Sequence, residues 1–526
     1  MIKLTVHESV EAALQKAFPK PAAAAKRALA KYISVVESML FDALQRGQTP
    51  EQRKLGLYAI SLDQLANKGG QIGPKKIRVH KWLTDNDWDI VQTVVKGTKF
   101  SGQNSQVKLT PLVTIQNDLQ IPAASLSAAT TDEEIDAYLS GNDVSNIALF
   151  DHLYPEYNLE WREDKLRQLF DWVPVDVESV KAYVYWLETE SKMIQGPKKD
   201  LALRQALSIL GIAAVTKGYY LQRKKISPFG RTYYEGTSVQ NVNKELRRAM
   251  LGNCWEYDIR SSVVAWKMGY ARGYLAASGV DQDLRKSFPA TLLYLEDKAD
   301  FMATVRHYVF PESSPVPKDL RPKLLKQAFT AISFGARQTA KGWLDASGNW
   351  TNPALVEILQ NADDRARFLA DDTVKLFIKE QNALDDYLYA LFKRFRPDLL
   401  LKPYLQTDGG RPSKAKVLAY LYQHGETHVM NIVRQVAIAN GRMPIANVHD
   451  AIFFKRALGV ELKSEIECQM REQTGNAFWH LTPKQIERYT PRSLNAEREE
   501  QDHKDRMKLE QARAAGYKSV FSKLNL

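Results

Sequence analysis

The stretch IANVHDAIFFKR, residues 445–456, leaves the chain few choices. Apolar residues run up to His449-Asp450 and resume as Ala451-Ile452-Phe453-Phe454, which spells a strand, a tight polar turn and a second strand. A lone His-Asp at such a turn is ordinarily a satisfied polar hairpin. A second carboxylate in the same kind of setting changes its weight. In NCWEYDIRSSVVAWKMGYARGYLAA, residues 253–277, an apolar-aromatic run ends at Asp258, and a helix with apolar residues at helical spacing follows from about Ser261.

Two carboxylates at strand ends on one sheet can share a pair of divalent ions. The chemistry that needs them is in-line phosphoryl transfer, in which two Mg²⁺ ions about 3.5–4 Å apart clamp the attacking and leaving oxygens. Mg²⁺ uses one or two carboxylates plus substrate phosphates, so two aspartates suffice. Between them lies RPKLLKQAFTAISFGARQTAKGW, residues 321–343. On a helix, Lys323, Lys326 and Thr330 fall within two turns, and Lys326, Thr330 and Phe334 recur along one face. A lysine there can hold a triphosphate, with the ring further along as a stacking surface for a base. The alternative is an amphipathic helix with a solvated lysine.

The rest of the chain frames this site. With 526 residues, two to four domains are expected. The formal net charge of +12 makes a polyanionic partner, nucleic acid above all, a natural expectation, although solubility alone also accounts for such an excess. Two cysteines, Cys254 and Cys468, cannot build a disulfide framework or a multi-cysteine metal site, so a reducing interior is expected. No apolar run approaches the roughly 18–20 residues that span a bilayer, and the first residues lack a secretory core, which together lead to a cytoplasmic protein with no membrane partner.

Residues 1–46 read as helix. Ser61 caps a short helix, Gly69-Gly70 mark a turn, and a second helix is expected from Pro74, presenting Lys75, Lys76, Arg78 and Lys81. IVQTVVKG and SQVKLTPLV then read as a hairpin joined by TKFSGQN. Helix, turn, basic helix and hairpin suggest a winged-helix module over residues 1–125; a generic small α+β domain with a solvated basic face is the alternative. Residues 120–145 read as a linker with one short capped helix, whose Asp132, Glu133 and Glu134 suit a helix first turn better than a nuclease site. Residues 160–225 read as helical, running into the basic LQRKKISPFGR; residues 226–490 are mixed, and 491–526 form a highly charged helix with a short apolar tip. That tail is either a solvated helix or an element that contacts a partner through SVFSKLNL.

The order of these segments resembles the palm and fingers of the family A polymerase superfamily, and its phage-type single-subunit RNA polymerases most of all. YDIRSSVVA is similar to motif A, with its aspartate at Asp258; KQAFTAISFG to motif B, with Lys326 and Phe334-Gly335; VHDAIFF to motif C, with His449 and Asp450. SPFGRTYYEGTSVQNVNKELR looks like the Gly-Arg segment preceding motif A, and YQHGETHVMNIVRQ like the segment preceding motif C. The resemblance covers residues 227–470, roughly half the chain.

What it implies is an α+β right-hand polymerase, with a palm sheet and helical fingers over 226–490, thumb-like helices within 126–225, and the winged-helix-like domain in front. Asp258 and Asp450 would hold two Mg²⁺ ions. Lys326, Thr330, Phe334, Gly335, Val263, Tyr422, His428 and His449 would surround the nucleoside triphosphate. Arg231, Gln240, Asn241 and Arg247 would meet the DNA template, and Arg223, Lys224 and Lys225 the phosphates of the product duplex. The glutamate that obstructs a ribose 2′-hydroxyl in the DNA enzymes is replaced by Val263, which favours ribonucleotides. Against this, the motif B tyrosine is Phe334, which cannot donate a hydrogen bond. Tyr422 stands in for a ribose-contacting histidine and retains a hydroxyl.

The expectation is a DNA-dependent RNA polymerase or primase of a phage or mobile element in a bacterial host. It would have an accessory DNA-binding or replication protein as a further partner, and the N-terminal module or that partner would read the promoter. A DNA polymerase of the same family and a non-catalytic DNA-binding replication protein remain open.

Overall fold

The computed structural model describes residues 2–19, 22–97, 104–116, 170–190, 197–225, 227–279, 283–339, 342–344, 350–407 and 409–491. The expected linker at 120–145, its capped helix at Asp132, Glu133 and Glu134, and the charged tail lie outside the described residues. The fold is α+β, rich in helix, with several small antiparallel sheets. No helix among the described residues is long and apolar enough to cross a membrane.

The chain opens with strand β1 (Lys3–Val6), helix α1 (Glu8–Ala17) and helix α2 (Ala22–Gln45). Residues 1–46 are therefore not helical throughout. KLTV alternates polar and apolar residues, so its Leu4 is buried while β1 pairs with β7 (Val113–Gln116). Next come β2 (Leu57–Ile60) and α3 (Leu62–Lys68), whose N-terminal amide of Gln64 is capped by Ser61 as expected. A helix from Pro74 does not form. Instead β3 (Gln71–Ile72) and β4 (Ile77–Arg78) make a tiny hairpin, because Gly73 takes the left-handed backbone that closes its turn. Helix α4 (Val79–Asp85) begins only afterwards, burying Val79 and Leu83. The expected hairpin is present as β5 (Val91–Val95) and β6 (Ser105–Leu109).

Residues 160–225 also depart from an all-helical reading where they are described. FDWVP and YYLQRKK are strands β8 (Phe170–Pro174) and β9 (Tyr219–Lys225), flanking helix α5 (Pro197–Val215). Both strands carry aromatic residues that suit a half-buried pleated surface. Strand β10 (Tyr233–Glu235) completes this sheet, and helix α6 (Lys244–Leu251) leads into the central element, β11 (Cys254–Ile259).

Helix α7 (Ser262–Met268) follows directly, and then α8 (Pro289–Glu296), α9 (Lys298–Val309) and α10 (Arg321–Ser333). A two-stranded ribbon, β12 (Trp343–Leu344) and β13 (Trp350–Thr351), precedes the long helices α11 (Asp372–Phe395) and α12 (Lys414–Ala439). The chain returns through β14 (Pro444–Val448), β15 (Ala451–Phe454), α13 (Val460–Thr474) and β16 (Leu481–Ile486).

The sheet that positions the site has the order β14-β15-β11-β16, antiparallel throughout. It is covered on both faces. Ala451 and Phe453 join one apolar core with Cys254 and residues 2–251, while Ile452 and Phe454 join another with Tyr257 and helices α7 to α12. This explains why AIFF is apolar at every position rather than alternating.

Helix α7 is fixed from below by a buried ion pair. Lys267 Nζ lies 2.6 Å from Asp385 Oδ1 in α11 and donates to the Ser333 carbonyl at the end of α10, 2.8 Å away. Removing one member of a buried pair strands the other charge, at a cost of about 3–5 kcal/mol. We expect Lys267→Met to lose stability on that scale in urea unfolding, and Lys267→Met/Asp385→Leu to recover much of it. A single-variant loss below about 1 kcal/mol would mean that the pair does not hold these helices.

Candidate active site

Backbone pairing sets the two candidate carboxylates side by side. Asp258 lies opposite Ala451 in the β11–β15 ladder, and the Ile259 amide donates to the Asp450 carbonyl at 3.1 Å. Asp450 sits in the two-residue turn between β14 and β15, after His449, which holds a left-handed backbone at φ 52°. Short hairpin loops need such a conformation, which glycine or asparagine adopts more cheaply. Ser261, just before α7, is the second left-handed residue beside the site, at φ 50°. Thus each carboxylate is flanked by a strained non-glycine residue, a pattern that marks functional sites more than scaffolds.

Both aspartates open onto a cleft of about 620 Å³. Its opposite wall is α10, where Leu324, Leu325, Ala328 and Phe329 are buried and Lys326, Thr330 and Phe334 face outward. All three outward residues line the cleft. Lys326 forms no ion pair with a described residue and acts electrostatically on Asp258. Thr330 Oγ1 is turned back to the Lys326 carbonyl at 2.8 Å. Phe334 is half exposed and meets the Tyr422 ring edge-on, with centroids 5.6 Å apart. Lys323 is exposed on the same helix but does not line the cleft.

The floor is a hydrogen-bonded chain that sequence reasoning only partly reached. Arg231 grips Glu426 through Nε and Nη2, at 2.6 and 2.5 Å. Tyr422 donates its hydroxyl to the same carboxylate and lies 2.7 Å from Ser262 Oγ, which donates to Asp450 Oδ2 at 3.1 Å. Glu426 and Ser262 were not singled out from sequence. Glu426 stands one helical turn from Tyr422 in α12, and an acidic residue inside an apolar helix face was the available signal.

Lys298, at the start of α9, was also missed. It lines the cleft, donates to Ser261 Oγ at 2.9 Å, and lies 4.4 Å from the Tyr294 ring centroid. Burial, with Arg260 nearby, pulls its ammonium down to about 8.

Other sequence candidates lie elsewhere. Val263 lines the cleft but is nearly buried in α7. Gly335 follows α10 with φ 78° and lies outside the cleft lining. His428 is buried in α12 and does not line it, and His449 turns toward Tyr233, with rings 5.7 Å apart. Gln240, Asn241 and Arg247 stitch residues 232–247 together: Gln240 donates to the Thr232 carbonyl, Asn241 accepts from Ser238, and Arg247 donates to the Val239 carbonyl. Arg223 and Lys224 are engaged by Asp42 and Asp171, at 3.1 and 3.0 Å, rather than standing free for phosphates.

The electrostatics favour a bound cation. Burial first, then the charge of Asp450 and that of Glu256, push the Asp258 carboxyl up to about 7, with Lys326 pulling the other way. Neither Asp258 nor Asp450 is ion-paired with a described residue. Among the described residues no cluster of three His, Cys, Asp or Glu exists, so a metal here would complete its shell with substrate and water, as Mg²⁺ does. No protein-family model matches the chain, and no curated protein does.

The raised carboxyl has a testable sign. Its unfolded value is near 3.8, so between pH 4 and 7 the folded state holds a proton that the unfolded chain has lost, and this contribution disappears as pH rises through 7. A divalent ion must displace that proton. We therefore expect Mg²⁺ to raise the melting temperature more at pH 8 than at pH 6, and Asp258→Asn to abolish the difference. Equal stabilisation at both pH values would dissociate Asp258 from metal binding.

Proposed function

We propose that this chain is a template-directed nucleotidyltransferase that extends a nucleic acid by two-metal phosphoryl transfer, with ribonucleoside triphosphates as substrate and DNA as template. The observation that carries the reading is the meeting of Asp258 and Asp450 through the β11–β15 ladder, across a cleft from Lys326, Thr330 and Phe334. Order along the chain agrees with the family A polymerase resemblance, whose palm would be the β14-β15-β11-β16 sheet and whose fingers would include α10.

The donor set fits two divalent ions: paired carboxylates with an excess of negative charge, opening on a cleft with room for a nucleotide. Bound there, Mg²⁺ supplies charge neutralisation at the attacking and leaving oxygens. The chain supplies the rest. Lys326, exposed and unpaired with described residues, is placed to hold the triphosphate. Phe334 offers a face for the base. Ser262 orients Asp450 by its hydrogen bond, and Glu426 holds Tyr422 and Arg231 in fixed positions beneath the cleft. Such preorganisation is what transition-state stabilisation requires.

Ribonucleotides are favoured because the wall near Val263 presents an apolar side chain rather than a carboxylate that would exclude a 2′-hydroxyl. The deciding assay is extension of a labelled primer on single-stranded DNA with Mg²⁺, comparing ribo- and deoxynucleotides. We expect ribonucleotide incorporation, lost by at least about a thousandfold in Asp258→Ala and Asp450→Ala. Lys326→Ala should raise the nucleotide concentration needed by about tenfold or more. Retention of wild-type rates by either aspartate variant would end the two-metal reading, and a strong deoxynucleotide preference would make the chain a DNA polymerase.

A further inference from the structure

Independently of the cleft, we propose that the N-terminal unit, residues 2–116, docks double-stranded DNA through the β3–β4 hairpin, the outer face of α4 and strand β5. The chain order here is α2, β2, α3, α4, β5, β6, and the sheet order is β2-β6-β5. That arrangement is the one expected of a winged helix, with β5–β6 as the wing and α4 as the helix presented outward. The β3–β4 hairpin is an addition between the two helices, and the turn itself holds Lys75 and Lys76.

Four cations converge on this end of α4. Lys75, Lys76, Arg78 and Lys81 are all exposed, and none forms an ion pair with a described residue. Lys76 adopts φ 49° and donates its amide to the Gly73 carbonyl at 3.0 Å, so the turn is rigid rather than a free loop. The hairpin is seated on Phe18, whose ring approaches Gly73 and meets Trp82 of α4 at 5.9 Å. Hairpin and helix are thereby one surface. Asp85 stands one turn beyond Lys81, about 6 Å along the helix, and Asp87 follows the helix end, so the cationic part of the surface is the hairpin and the first turn of α4.

Strand β5 extends this surface. Val94 and Val95 are 52% and 55% exposed on an edge strand whose ladder to β6 breaks register at Val94, which discourages pairing with another strand and leaves an apolar face open beside the cations.

The choice of duplex over single strand rests on what the surface lacks. Single-strand binders stack bases on exposed aromatic rings. Among the described residues of 2–116 every Phe, Tyr and Trp side chain is buried or half-buried. Cations on a fixed hairpin turn, beside a helix that fits a major groove about 12 Å wide, suit phosphates flanking a duplex groove instead.

The test uses the full chain and a duplex two helical turns long, sealed at both ends by polyether linkers so that the catalytic cleft finds no single strand. Wild-type protein should bind it with a steep salt dependence. Lys75→Gln/Lys76→Gln/Lys81→Gln should bind at least about tenfold more weakly, with a salt slope smaller by about 3, while affinity for single-stranded DNA stays within about twofold. Val94→Ser/Val95→Ser should weaken sealed-duplex binding in the same direction with an unchanged salt slope. The proposal falls if wild type does not bind the sealed duplex, if the lysine variant binds it like wild type, or if single-strand affinity drops equally. An unaltered melting temperature in both variants excludes misfolding as the cause. Loss of extension activity with sealed-duplex binding intact would count against the proposed reaction and leave this surface standing.

Discussion

The antiparallel register of β11 against β15 is the constraint on which the site depends. It couples segments nearly 200 residues apart and delivers Asp258 and Asp450 to the same end of the sheet. The register is hard to slip because the sheet is buried on both faces. Moving β15 by one residue would exchange Phe453 and Phe454 between two different cores. The placement of the two carboxylates is thus secured by apolar packing on both faces of the sheet. Helix α7 extends the constraint by carrying Ser262 to Asp450 while Lys267 anchors its other side to α11.

Charge is handled differently above and below this end of the sheet. Beneath the cleft, Glu426 satisfies Arg231 and accepts from Tyr422, so the buried charges are matched and hydrogen-bonded. In the cleft itself, the aspartates form no ion pair with a described residue, while Lys298 beside Ser261 and Lys326 on α10 line the same space.

The local parts of this design were legible in the sequence because they are written over a few consecutive residues. VHDAIFF reports a hairpin, YDIRSSVVA a strand passing into a helix, and KQAFTAISF one exposed face, and each is found where it was expected. Errors arose where local pattern and tertiary context diverge. YYLQRKK follows a long helix and reads as its basic extension, yet it pairs with β8 and spends Arg223 and Lys224 on ion pairs. Gly73-Pro74 was read as a helix start because proline favours that position, whereas the glycine's positive φ makes a hairpin. Glu426, Ser262 and Lys298 acquire meaning only from partners brought in by long-range packing, which no single stretch records.

The anchoring of α10 fixes one wall of the cleft. At its start, Arg321 is locked by three carbonyls from residues 310–316, and at its end the Ser333 carbonyl is pinned to Lys267. With both ends held in this way, α10 keeps Lys326, Thr330 and Phe334 on one fixed wall, so the spacing between that wall and the two aspartates is set by packing within residues 310–333 and by the Lys267 anchor rather than by anything that enters the cleft.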